Sequence, residues 1–389
     1  MTKRKCRCRM TGAIVVLFVA AASPPPAAAG PGVSEMWSRG RAEGRGPVRI
    51  KTFPLRVDEI GRIAPLGAMV HGHVTPSHHL GISPVDPDVP PDHYDVLAPA
   101  DGYIVSIQRS PKGNPDPGVR GRRYTGEYLV VFEHTGTFYT YIGLIERLDR
   151  YVTEELGGDP RPGPPVAARI RVKAEQVIGK MGGGHGLDFS VVNTETALAG
   201  FVNPGQFRNR DPFKPHIVDP FDYVDEPLRG KLLALNPRKT RPYGGRIDYD
   251  VDGRLAGNWY REGGGGYAGV RGKLDYWSGH LTFAYHHIDP SKITVSIGDF
   301  EGAPRQFWVK GNAPDPAGVS PESGPVKYEL TWMQIGSDGR RFQRPDIDRV
   351  HGVVLVSLIE GRKLKAEFFP GLTADAVQGF TSAASVYER

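Results

Sequence analysis

Four histidines fall within nine residues in the stretch His71-Gly72-His73-Val74-Thr75-Pro76-Ser77-His78-His79, and a carboxylate, Asp188, stands far downstream in the strand-like run Leu187 to Val192. His73, His79 and Asp188 together have the two-histidine, one-carboxylate composition of several hydrolytic zinc centres. Three protein ligands leave one position for water, which zinc turns into a nucleophile near neutral pH. Zinc is the candidate cofactor of such a set, although Asp188 by itself could serve zinc or calcium. The same side chains have a second reading, in which a histidine-rich loop and an inward-facing aspartate satisfy one another by hydrogen bonds in a binding cleft.

Such residues need a frame, and the sequence points to β-structure. From Ile50 to about Tyr223 short β-type runs alternate with loops, and no amphipathic helix of normal length stands out. Two loops rich in turn formers, Ser110 to Tyr124 and Gly157 to Pro165, are expected on the surface, where such insertions often border a site. His134 lies in the apparent hairpin turn Glu133 to Gly136 and is expected in solvent. His185 just precedes the run that carries Asp188.

A boundary falls near Asp225 to Tyr243, beyond which strand signals recur at short intervals. Ile293, Val295 and Ile297 alternate with polar residues, as do Val326, Tyr328, Leu330 and Trp332; similar runs occur at Leu281 to Tyr285, Val353 to Ile359 and Leu364 to Phe368. Period-two alternation with one polar face is what a barrel or sandwich strand needs. Residues 244 to 389 are therefore expected to form a second all-β domain of roughly eight strands. Gly257-x-Trp259 resembles the start of lipocalin-like barrels, in which the tryptophan packs across one end; that resemblance implies an apolar ligand or a partner as cargo. His286-His287 ends a strand without a partner motif.

The segments Asp95 to Ile107, Glu127 to Ile142 and Val172 to Val192 together resemble the β-sheet core of the lysostaphin-type (LytM-like) zinc metallopeptidases, which cut cell-wall peptidoglycan. The scaffold matches: Ala98-Pro99-Ala100-Asp101-Gly102 gives the family's strand-turn, and Val177-Ile178-Gly179 with the Gly182 to Gly184 run fits the approach to its closing strand. The ligand positions mostly depart. His79-Leu80-Gly81-Ile82-Ser83 keeps the first histidine ligand and has Ser83 where the aspartate belongs. Tyr139-Thr140-Tyr141 puts Tyr141 at the catalytic histidine, and Gly186-Leu187-Asp188-Phe189 replaces both histidines of the closing strand. The resemblance thus implies a lysostaphin-like antiparallel β-sheet domain, degenerate at its metal and catalytic positions, whose cleft is lined by Tyr139 and Tyr141 together with His73, His79 and Asp188. If it is active instead, Tyr141 or His185 would stabilise the oxyanion.

Composition adds a route of export. Residues 1 to 29 carry five basic residues, an apolar run from Ala13 to Ala22 and an Ala27-Ala28-Ala29 site before Gly30, the pattern of a cleaved secretory signal. Removing it lowers the formal charge from +6 to +1, so charge gives no case for nucleic acid. Both cysteines, Cys6 and Cys8, leave with it. The expectation is a secreted or periplasmic protein without a transmembrane anchor: a flexible leader (30 to 49), a peptidase-fold domain (50 to 225), a linker (226 to 243) and the second β domain (244 to 389). Its function would be binding or scaffolding toward peptidoglycan, a peptide or an envelope protein. A zinc metallopeptidase with re-drawn ligands is the first alternative and a lipocalin-like carrier the second.

Overall fold

The structure is a computed structural model that describes Trp37 and residues 42–110, 127–182, 186–270, 275–336, 339–342, 346 and 348–389. The signal segment, most of the loop 110–124 and His185 lie outside the described residues. The protein is mainly β, with antiparallel sheets followed by a closed eight-stranded barrel. All described residues belong to one compact unit, in which sheet and barrel have separate apolar cores.

The first half forms two sheets. Its strands are β1 (Ile60–Ala64), β2 (Leu80–Pro84), β3 (Tyr94–Leu97), β4 (Gly102–Arg109), β5 (Tyr128–Thr135) and β6 (Phe138–Ile145), then β7 (Arg147–Leu148), β8 (Val166–Val172), β9 (Val177–Met181), β10 (Leu187–Asn193) and β11 (Ile217–Val218). The larger sheet runs β1-β2-β10-β6-β5-β4-β8, with β11 added to β10; β3, β9 and β7 form the smaller one. Strands β5, β6 and β10 are buried along nearly their whole length. Their apolar content is accordingly almost continuous, because both faces of the sheet are covered.

The strand-turn at Ala98 to Gly102 connects the two sheets, and its glycine is required by a close approach. A Cβ at Gly102 would lie 2.5 Å from the carbonyl oxygen of Glu133. The neighbouring Asp101 accepts a hydrogen bond from the Ala174 N–H at 2.8 Å. One short helix, α1 (Arg150–Leu156), follows β7; Asp149 caps it by accepting from the Tyr151 N–H at 2.9 Å.

The segment expected as a linker is folded. It carries α2 (Leu228–Leu235) and then Arg238, which is 3% exposed and donates to the carbonyls of Thr240, Pro242 and His287. The last of these lies in the barrel half, so this buried guanidinium ties the connection down. A charged, proline-containing stretch resembles a linker in sequence because its satisfied partners are backbone carbonyls, which composition does not reveal.

The barrel consists of β12 (Gly257–Arg261), β13 (His280–Tyr285), β14 (Ile293–Phe300), β15 (Ala303–Val309), β16 (Val326–Trp332), β17 (Gly352–Glu360), β18 (Lys363–Pro370) and β19 (Ser385–Glu388), closed by pairing of β12 with β19. Trp259, Phe283, Phe307, Tyr328 and Tyr387 are buried in its core. Trp259 donates its indole N–H to the Leu255 carbonyl at 2.8 Å, and the Arg389 guanidinium lies 4.0 Å from its ring centroid. Arg389 also donates to the carbonyls of Ala256, Val251 and Arg254. An internal cargo would have to displace these rings. Among the described residues no helix is long and apolar enough to cross a membrane.

Candidate functional site

Sheet register brings the singled-out residues to one place. Asp188 on β10 lies opposite Gly81 of β2 on one side and Gly143 of β6 on the other. Residues two apart on a strand share a face, so Gly81 and Ser83 face the same way as Asp188, Tyr141, paired with Ser190, joins them, and His79, just before β2, reaches the same carboxylate. The two glycines keep the surface around the carboxylate low. A Cβ at Gly143 would come within 3.2 Å of the Asp188 Cβ.

On this face His79 Nδ1 lies 3.1 Å from Asp188 Oδ1. The distance is that of an ion pair, but the geometry is not that of an aligned hydrogen bond. The His73 ring centroid stands 5.1 Å from that of His79, and His78 stands 5.7 Å from it on another side. Two cavities meet here. One of about 350 Å³ is walled by Trp37, His78, Tyr141, Arg210, Phe213 and Tyr276, among others; the second, of about 290 Å³, by mainly apolar residues including Val70, Ile82, Leu144 and Leu187. His73, His79 and Asp188 line both. The pair therefore stands where the two cavities adjoin. Leu144, in the second cavity, has a positive φ of 67°, a strained backbone for a branched residue.

Electrostatics separate the neighbouring histidines. Burial disfavours charge on His79, but the Asp188 carboxylate outweighs it and holds the imidazole above its ordinary range. His78 has no such partner; burial, and then the Lys214 ammonium, drive it well below. Burial likewise raises the Tyr141 phenol well above 10 against the opposing pull of the nearby Ser190 hydroxyl, with which it makes no aligned hydrogen bond. Lys214 is itself 1% exposed and lowered to about 8 by burial. Its amine donates to the Thr75 hydroxyl at 3.2 Å and lies 4.7 Å from the Tyr267 ring centroid.

Three expectations change. Tyr139 does not line the cleft: it is fully buried, donates its hydroxyl to the Gly136 carbonyl at 3.0 Å, and packs against Trp37, 5.7 Å away between ring centroids. Trp37 in turn belongs to the supposed flexible leader, yet it is 7% exposed and stacks on Phe213 at 4.8 Å. His134 is held in place rather than left to solvent. Its ring nitrogens meet the Asp101 carbonyl at 2.8 Å and the Thr140 hydroxyl at 2.9 Å, and burial lowers it to about 4. It is a pin between the strand-turn and the hairpin.

The cleft also uses residues that strand patterns do not signal. Arg210, Asp211 and Phe213 come from the turns after β10, and Tyr276 from the approach to β13. The Arg-Asp-Pro-Phe run at 210 to 213 is the one local hint, a charged pair beside an aromatic in a proline-rich turn. The Gly157 to Pro165 loop does border the cavity, through Pro165. The barrel half also shapes the histidine loop. Gln306 donates to the His71 carbonyl at 3.1 Å, and a Cβ at Gly72 would lie 3.1 Å from the Trp277 ring.

As a zinc site the arrangement is incomplete. Among the described residues no three His, Cys, Asp or Glu side chains group as a metal set requires, and Ser83, which lines the second cavity, is a poor zinc donor. The cleft offers instead an imidazole–carboxylate pair, a phenol without an aligned hydrogen bond and aromatic walls. These suit hydrogen bonding and stacking with a bound chain.

The fold and cleft define a two-part, mainly β protein with a groove that sheet and barrel build together. No protein-family model matches the chain, and no curated protein is significantly similar to it.

Proposed function

We propose that the chain is an exported, envelope-facing protein whose lysostaphin-like sheet binds a peptide without cutting it, with the barrel as its structural partner. One observation carries this reading: His79, Ser83, Tyr141 and Asp188, the positions that the resemblance assigns to metal binding and catalysis, come together at one face of three adjacent strands. What stands there is an ion pair and a buried hydroxyl without an aligned hydrogen bond among the described residues. Two adjoining cavities on either side of the pair suit an extended ligand passing over it.

The test uses the mature chain from residue 30, dialysed against zinc and then incubated with soluble peptidoglycan stem peptides. The expected result is substoichiometric zinc, a melting temperature indifferent to excess zinc, and peptide that binds and is recovered intact. One zinc per chain, lost in both His79→Ala and Asp188→Ala together with peptide cleavage, would establish the alternative, a zinc peptidase with re-drawn ligands. The proximity of the His73 and His79 rings is the observation that favours that second reading.

A further inference from the structure

Arg210 is the exposed cation of the larger cavity, and its position is constrained. Its guanidinium carbon lies 3.5 Å from the Tyr276 ring centroid and one of its N–H groups reaches the Tyr276 hydroxyl, while among the described residues it forms no ion pair with a carboxylate. A guanidinium carries five N–H donors in a planar fork, so with one directed at Tyr276 the others can still meet the two oxygens of a carboxylate. The stack also reduces the side-chain freedom lost on binding.

The other charges of this cavity are already engaged. Asp188 faces His79 at 3.1 Å, and Asp211 accepts from the Tyr267 hydroxyl at 2.5 Å. Tyr141 is 4% exposed and lines the same cavity, and its hydroxyl, close to that of Ser190, makes no aligned hydrogen bond among the described residues. It is a second polar group with capacity for a ligand. Across the His79–Asp188 pair the adjoining cavity is walled by Val70, Ile82, Leu144 and Leu187.

We infer that the ligand is a peptide with a free carboxylate: Arg210 receives the carboxylate in the larger cavity, and an apolar side chain enters the adjoining one. The inference rests on the proposal that the cleft binds peptides, and it adds the end of the peptide that is recognised. A carboxylate in this position meets stacked N–H donors on one side and the Tyr141 hydroxyl within the same cavity. A C-terminal amide has the same shape but no charge, so it forfeits the charge-assisted bonds.

The experiment titrates the full mature chain with N-acetylated leucyl-alanine and, separately, with its C-terminal amide, by calorimetry at low and at 0.5 M salt. Wild type is expected to bind the acid about tenfold more tightly than the amide, with the preference shrinking in salt. Arg210→Gln should remove the preference, and Arg210→Lys should restore part of it as a point charge without the fork. Arg210 is exposed, so an unchanged melting temperature in both variants checks that folding is intact. Equal affinity for acid and amide in wild type overturns the carboxylate assignment and leaves peptide binding standing. A preference that persists in Arg210→Gln overturns the role of Arg210. Binding of neither probe overturns this inference and the peptide-binding proposal together.

Discussion

His79 Nδ1 sits 3.1 Å from Asp188 Oδ1 at a register position where both strand neighbours of the aspartate are glycine. The pair is thereby freed from side chains on either flank and exposed to whatever enters the cleft. It also makes stability depend on pH with a definite sign. The folded-state pKa of His79 is raised above its ordinary 6.5, so the stabilisation is full below that value and is lost as pH rises through the folded pKa.

Asp188→Asn should reverse this trend. Without the carboxylate, burial and the Lys214 ammonium lower His79 against the backbone hydrogen bond at Leu80, so the variant should gain stability with rising pH where wild type loses it. We expect a cost of about 1–3 kcal/mol at pH 6 that narrows by pH 8, read from urea unfolding at both values. Parallel curves for wild type and variant would show that the pair does not titrate as described.

The two tyrosines of β6 should behave oppositely although they lie two residues apart. Tyr139→Phe removes a buried hydroxyl bonded to the Gly136 carbonyl and should cost about 1 kcal/mol while leaving ligand affinity unchanged. Tyr141→Phe removes a buried hydroxyl that has only a poorly aligned contact with Ser190, so folding stability should hold or rise by up to about 1 kcal/mol. The same change should weaken peptide binding. Chemical denaturation and calorimetry on the two variants separate these outcomes.

Arg389 is expected to fasten one end of the barrel. It lies over Trp259 and donates to three backbone carbonyls, and burial lowers it to about 10. Arg389→Ala should destabilise by about 2–3 kcal/mol, since the ring loses its cation and the carbonyls lose their donor. Arg389→Lys should recover less than half, because one ammonium cannot serve all three. The unfolding midpoint, followed by tryptophan fluorescence, measures both.

Much of the architecture was legible because it rests on periodicity. The alternation at Ile293 to Ile297 and Val326 to Trp332 became β14 and β16 of a barrel, and the Ala98 to Gly102 turn became a junction where backbone approaches backbone. Burial of Tyr139 was not legible, since alternation places it on the face of Tyr141 and cannot show that Trp37 packs against both rings while only Tyr141 reaches the cavity. His134 misled for a related reason: a polar residue at a hairpin end signals solvent, and its partners are a carbonyl on the distant strand-turn and a hydroxyl across its own hairpin. Arg210 and Tyr276 come from turns, where no period constrains the side chain.

The contacts from Gln306 to His71 and from Trp277 to Gly72 mean that the histidine loop is moulded on the barrel. A fragment ending at residue 225 would contain His73, His79 and Asp188 and still lack the surface against which the loop takes its shape. The barrel is in this sense the loop's die, and the chemistry of the cleft belongs to the whole chain. Sequence drift that reshapes the barrel surface at Trp277 will therefore retune a histidine loop about two hundred residues earlier in the chain.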